Sequence, residues 1–175
     1  MKKSVFLSQL VGFIFVSVTG VLLHFLYDVS GASPIAAVFS GVNESTWEHM
    51  KLLYFPMLFY ALAESKYFCG SIESFWCVKL KGTILGLILI PVLFYTIRGA
   101  FGDTPDWVNI STFFVAAAIS FYYETRQLNK NAGKCNGRLA LILLLSIGVL
   151  FAVFTFITPE IPLFRDPLSG SYGRG

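Results

Sequence analysis

Charge is what this chain has least of. Lys, Arg, Asp and Glu make up 13% of its 175 residues, about half the share found in a typical water-soluble domain. So few charges cannot cover a surface that faces water, which excludes an ordinary globular protein. The formal net charge is only +3, and the basic residues are scattered among apolar runs rather than gathered into a stripe. That leaves no electrostatic footing for nucleic acid. Cysteine is scarce too, at three residues. Cys69, Cys77 and Cys135 match no common metal-binding spacing and fall in connections that read as cytoplasmic, where thiols stay reduced. Three structural thiols are expected. Neither H-E-x-x-H nor G-x-S-x-G occurs, so the zinc-protease helix and the nucleophile elbow of serine hydrolases are both missing.

What the chain does have is hydrophobic length. Hydrophobic residues account for 55%, aromatics for 17%, and the mean hydropathy is +0.70, the profile of an integral membrane protein. A helical span takes about 20 apolar residues. Residues 5–27 provide 23 without Lys, Arg, Asp or Glu. Lys2 and Lys3 precede them, as in a secretory signal. The apolar stretch is longer than a signal core, however, and no A-x-A site follows, so an uncleaved anchor is expected. Residues 139–157 are similarly free of charge. Residues 75–98 span if Lys79 and Lys81 snorkel toward the headgroups, and Pro91 should bend that helix. A further helix opens with Thr104 as cap, Pro105 at the first turn and Asp106 at the positive helix end. Between Leu52 and Ala63 only 12 apolar residues are available, so that span must take in flanking residues, Trp47, Glu48 and His49 at one end or Tyr67 and Phe68 at the other.

With the amino terminus inside, nine of the 13 basic residues fall on the cytoplasmic side and most acids fall outside, which satisfies the positive-inside rule. The expected fold is therefore all-α. It is a polytopic membrane bundle of about five transmembrane helices (about 5–27, 46–68, 75–98, 105–125 and 138–157), amino terminus inside and carboxyl terminus outside. Residues 1–158 form one domain, followed by a Pro/Gly-rich external tail, 159–175.

The stretch VNESTWEHMKLLYFP, residues 42–56, gathers polar residues at the start of a hydrophobic helix. Part of it has a local explanation. Ser45 and Glu48 form a capping-box pattern, acids in a first turn favour the helix dipole, and Glu48 can pair with Lys51 one turn on. His49 is not explained this way. The other histidine, His24, sits in the last turn of the first span, one turn before Asp28, and the expected topology brings it to the same outer rim. The candidate binding cluster is His24, Asp28, Asn43, Glu44, Trp47, Glu48, His49 and Asp166; the tail either folds Asp166 and Tyr172 back over the histidines or ends as a disordered terminus. Two histidines and a carboxylate are a donor set for a divalent metal, with His24, Glu48 and His49 as the candidate ligands. The same residues suit a proton or cation pathway.

The N-E-S-x-W-E-H segment, LLHFLYD in the first span and the tail IPLFRDPLSGSYG resemble an uncharacterised family of small multi-spanning bacterial membrane proteins, a domain of unknown function. The resemblance implies a bacterial cytoplasmic membrane protein with Asn43, Glu44, Trp47, Glu48 and His49 in its signature, and it implies no activity. Three classes remain. The preferred one is a binding or transport protein with its polar cluster at the outer mouth. The others are a membrane enzyme using Glu48 with His49 or His24, and an accessory subunit packed against a second copy or a membrane partner. In each, the lipid bilayer is the immediate partner.

Overall fold

The computed structural model describes residues 2–102, 105–130 and 135–174. Thr104, expected to cap a helix, lies outside the described residues. The order is α1 (Lys2–Val29), α2 (Pro34–Phe39), α3 (Thr46–Phe68), α4 (Phe75–Phe101), α5 (Asp106–Lys130) and α6 (Gly137–Phe156), followed by a single 3-10 turn, Pro162–Phe164. Among the described residues there is no strand, only an isolated bridge between Arg165 and Tyr172. The five long helices follow the expected segments to within a few residues, except that α5 continues to Lys130. The short α2 was not expected. Pro34 opens it at the first helical position, where the missing N–H costs nothing, and Ser40 ends it in an extended conformation.

Three of the helices, Lys3–Val29, Phe75–Phe101 and Gly137–Phe156, are long and apolar enough to cross a membrane. They are also the most exposed, with 28%, 17% and 28% of their apolar windows buried. By contrast α3, poorest in continuous apolar length, has 13 of its 23 residues buried and touches every other helix. Four of its polar residues, Thr46, Glu48, Lys51 and Glu64, are among the buried ones. An inside that holds charge and an outside of Phe, Leu, Ile and Val is the arrangement that lipid as solvent favours. It also explains why α3 lacked apolar residues: protein, not lipid, surrounds it.

Packing runs in three clusters along the bundle. Val16, Leu53, Met57, Ile90, Ala117 and Phe121 fill the middle. Val5, Phe68, Ile72, Phe75 and Leu128 close one end. Tyr54, Phe55, Leu58, Leu87, Leu144 and Phe151 join α3 and α4 to α6. The tightest helix pair is α4 on α5, where a Cβ on Gly86 would come within 2.5 Å of Ser120 Oγ and one on Gly82 would strike the Glu124 carboxylate. Small residues four apart let these backbones approach.

Two expectations are overturned. Lys79 does not snorkel outward. It points into the bundle at 2% exposure, because two carboxylates await it there. The three cysteines are not all thiols either. Cys77 and Cys135 are joined in a disulfide across a Cα–Cα distance of 6.5 Å, and Cys69 is free and exposed. The pair is 58 residues apart and meets only because α6 packs beside α4, so no local spacing foretold it.

Candidate functional site

The carboxyl end of α1 and the amino end of α3 meet at one end of the bundle, with the loop 40–45 laid over them. Ser40 pins that loop by inserting its hydroxyl into the last turns of α1, accepting from Tyr27 N at 2.9 Å and donating to Leu23 O at 2.6 Å. Asn43 holds the loop from two sides. Its Oδ1 accepts from Ser45 N at 2.9 Å, and its Nδ2 donates to the tail carbonyl of Gly173 at 2.7 Å. Ser45 then caps α3, accepting from Glu48 N at 3.4 Å. Only half of the expected capping box forms, since the Glu48 side chain turns elsewhere.

Held in this way, Glu44 projects between the two histidines. His24 Nε2 lies 3.5 Å from Glu44 Oε1, and His49 Nε2 lies 3.5 Å from Glu44 Oε2. The imidazole ring centres are 5.7 Å apart, and one donor atom from each of the three residues lies within 4.8 Å of the others. His49 Nδ1 is 3.0 Å from the Ser45 carbonyl. A carbonyl only accepts, so Nδ1 carries the proton and, in the neutral ring, Nε2 presents its lone pair to the carboxylate. Two electron-rich atoms thus face each other. Either a proton on Nε2 or a cation held between the two groups relieves that opposition.

A cavity of about 490 Å³ opens at this point. Its walls are mostly apolar, with Val21, Phe25, Ile90, Phe94 and Phe113 among them, and Asn109 and Thr112 add polar positions from α5. Pro167 and Leu168 of the tail complete it. Asp166 shapes that turn, its two oxygens accepting from Leu168 N at 2.8 Å and Ser169 Oγ at 2.7 Å. Arg174 fastens the far end of the tail, Nε donating to Tyr27 Oη at 3.2 Å.

The carboxylate set against the imidazoles is therefore Glu44, not Glu48. Glu48 is buried and bound to Lys51 Nζ at 2.5 Å and to Val42 N at 3.0 Å. Lys51 also donates to Ala37 O and Thr155 Oγ1, both at 2.8 Å, so the pair ties α2, α3 and α6 together. Trp47 packs between Phe151 and Phe164, each at a ring distance of 4.5 Å. Asp28 is exposed on the end of α1 and is not one of the three grouped donors. Asn43 and Asp166 position backbone around the site. Of the expected cluster, His24, Glu44 and His49 are the three whose ligand atoms lie within 4.8 Å of one another.

A second ionisable centre went unread in the sequence. Near the opposite end of α3, Lys79 Nζ is ion-paired with both Glu64 and Glu124, the latter at 2.6 Å. Gln9 Nε2 donates to Glu64 Oε1 at 2.6 Å, and Ser8 Oγ donates to the same oxygen at 2.7 Å. The signal available was the four-residue spacing of Thr112, Ala116, Ser120 and Glu124, which sets small and polar positions on one buried face of α5.

A family model described as a family of unknown function, DUF6512, matches residues 2–174. No curated protein and no solved structure matches the chain.

Proposed function

The chain belongs to DUF6512, a family of unknown function, and we propose that it is a membrane protein that binds a divalent transition metal through His24, Glu44 and His49. The observation that carries this reading is the placement of Glu44 3.5 Å from both imidazoles, with His49 Nδ1 turned to the Ser45 carbonyl so that Nε2 faces the carboxylate. Spacing favours a metal over a shared proton. Charge-assisted N–H···O bonds run at about 2.7–2.9 Å, shorter than the 3.5 Å found here on both sides. Bonds of about 2.0–2.1 Å to a tetrahedral ion separate ligand atoms by roughly 3.3 Å. Two imidazoles and one carboxylate suit zinc or iron(II), and either keeps open positions in such a set. The Nδ1 bond to a backbone carbonyl is the usual outer partner of a metal-bound histidine.

The open side faces the apolar cavity, so the ligand presented to the metal is an apolar or amphipathic molecule with one donor atom. The membrane is the bacterial cytoplasmic membrane, crossed five times; the basic residues favour an amino terminus inside, whereas the Cys77–Cys135 disulfide favours the opposite orientation. Support comes from the distribution of basic residues and from the exposed apolar faces of α1, α4 and α6. With the amino terminus inside, the metal lies at the outer mouth.

The test is metal analysis of the purified protein after zinc or iron(II) reconstitution, beside His24→Ala, His49→Ala and Asp28→Asn. One ion per chain is expected in the wild type and in Asp28→Asn, and none in either histidine variant. Uptake should weaken in acid, where protons compete with the metal for imidazole. Wild-type protein that stays folded yet takes up no stoichiometric metal would refute the assignment.

A further inference from the structure

The buried centre at the other end of α3 carries an unbalanced charge. Glu64, Lys79 and Glu124 are 3%, 2% and 0% exposed, and two carboxylates against one ammonium leave a net negative charge when all three are ionised. No other ion pair reaches this group among the described residues. From α1 it meets Ser8 and Gln9, from α3 Tyr60 and Glu64, from α4 Lys79, and from α5 Glu124. The rings of Tyr60, Phe75 and Phe121 enclose the ammonium at 5.6–5.9 Å. An uncompensated ion in such surroundings costs several kcal/mol, and ionisable groups avoid that cost by neutralising.

The two carboxylates are not equivalent. Glu64 Oε1 accepts from Ser8 and Gln9 while Oε2 meets Lys79. Glu124 Oε2 also meets Lys79, but Oε1 is fully buried with no hydrogen-bond partner and lies over Gly82, which leaves it room. We infer that this centre is a protonation site: it holds one exchangeable proton, carried on Glu124 Oε1. With that proton the group is electrically neutral. One turn away on the same face of α5, the Ser120 hydroxyl is likewise buried and unpartnered, and Thr112 further along lines the cavity. The proton therefore sits on a face of α5 that runs from the buried centre to the cavity. The inference is independent of the metal.

Infrared spectroscopy of the full-length protein in nanodiscs, titrated across neutral pH in H₂O and D₂O, reads such a proton directly. A protonated-carboxyl C=O band that shifts in D₂O and bleaches as pH rises is expected in the wild type. Glu124→Gln removes the proton's seat, and Glu64→Gln removes the excess charge that retains it, so both variants should lose the band. Glu73→Gln, an exposed acid on the same end, should keep it. Glu124→Gln copies the protonated side chain, so its melting temperature near neutral pH should match that of the wild type. Absence of the band in folded wild-type protein at every pH, its persistence in both Gln variants, or a large drop in the melting temperature of Glu124→Gln would each overturn the inference.

Discussion

At one end of the bundle Glu44 stands between two imidazoles with 40% of its side chain exposed. Near the other end Glu64 and Glu124 share a lysine with almost none of theirs exposed. Both places concentrate negative charge, yet they call for different counter-charges. The open site is part-exposed and is where we propose a divalent metal. The closed one already has its ammonium, and any remaining imbalance is met by the smallest cation. Burial decides which cation a carboxylate can take, because each Å of depth raises the cost of carrying a hydrated ion inward.

The comparison breaks most severely at Lys79. Lys79→Met strands two buried carboxylates together, and denaturant unfolding should show a loss of about 3–5 kcal/mol. The metal site, on the far side of the middle cluster, should keep its ion in the fraction that remains folded. Gly82→Ala tests the room beneath Glu124. A methyl there overpacks the α4–α5 contact at a cost of about 1–3 kcal/mol, measured by the same unfolding experiment. Asn43→Ala acts on the open site alone. It frees the loop from the tail carbonyl of Gly173, so zinc affinity by competition titration should fall about 10-fold, the lower end of what outer-shell partners contribute, with the melting temperature little changed. If Asn43→Ala and Lys79→Met each disturbed both centres equally, the two would be one coupled unit rather than two independent ones.

Helix positions were readable because a 20-residue apolar run has few alternatives in a chain with so little charge. His24 and His49 were brought to one level by counting turns from the expected span ends, and their rings do meet at 5.7 Å. The choice of carboxylate was not readable that way. Glu44 and Glu48 are one helical turn apart in sequence, but the helix begins at Thr46. Glu44 therefore belongs to a loop, and its direction depends on Asn43 and on a tail about 130 residues away. Lys79 was misread for a related reason. A lysine near the start of an apolar helix has two ways to be satisfied, outward to headgroups or inward to acids, and sequence does not show whether acids lie on the neighbouring helices.

Composition and long apolar runs by themselves determined that the chain folds as apolar helices, since a helix satisfies its backbone within one segment in a nonpolar solvent and the runs are too long for barrel strands. Pattern and spacing determined where those helices begin and end, and that both histidines approach one rim. Tertiary structure alone decided that α3 goes to the centre, that Glu44 rather than Glu48 faces the imidazoles, that Cys77 finds Cys135, and that Lys79 turns inward to Glu64 and Glu124. The reason is physical. Helix formation satisfies hydrogen bonds between residues four apart, whereas the partners of a buried charge come from whichever helices pack against it.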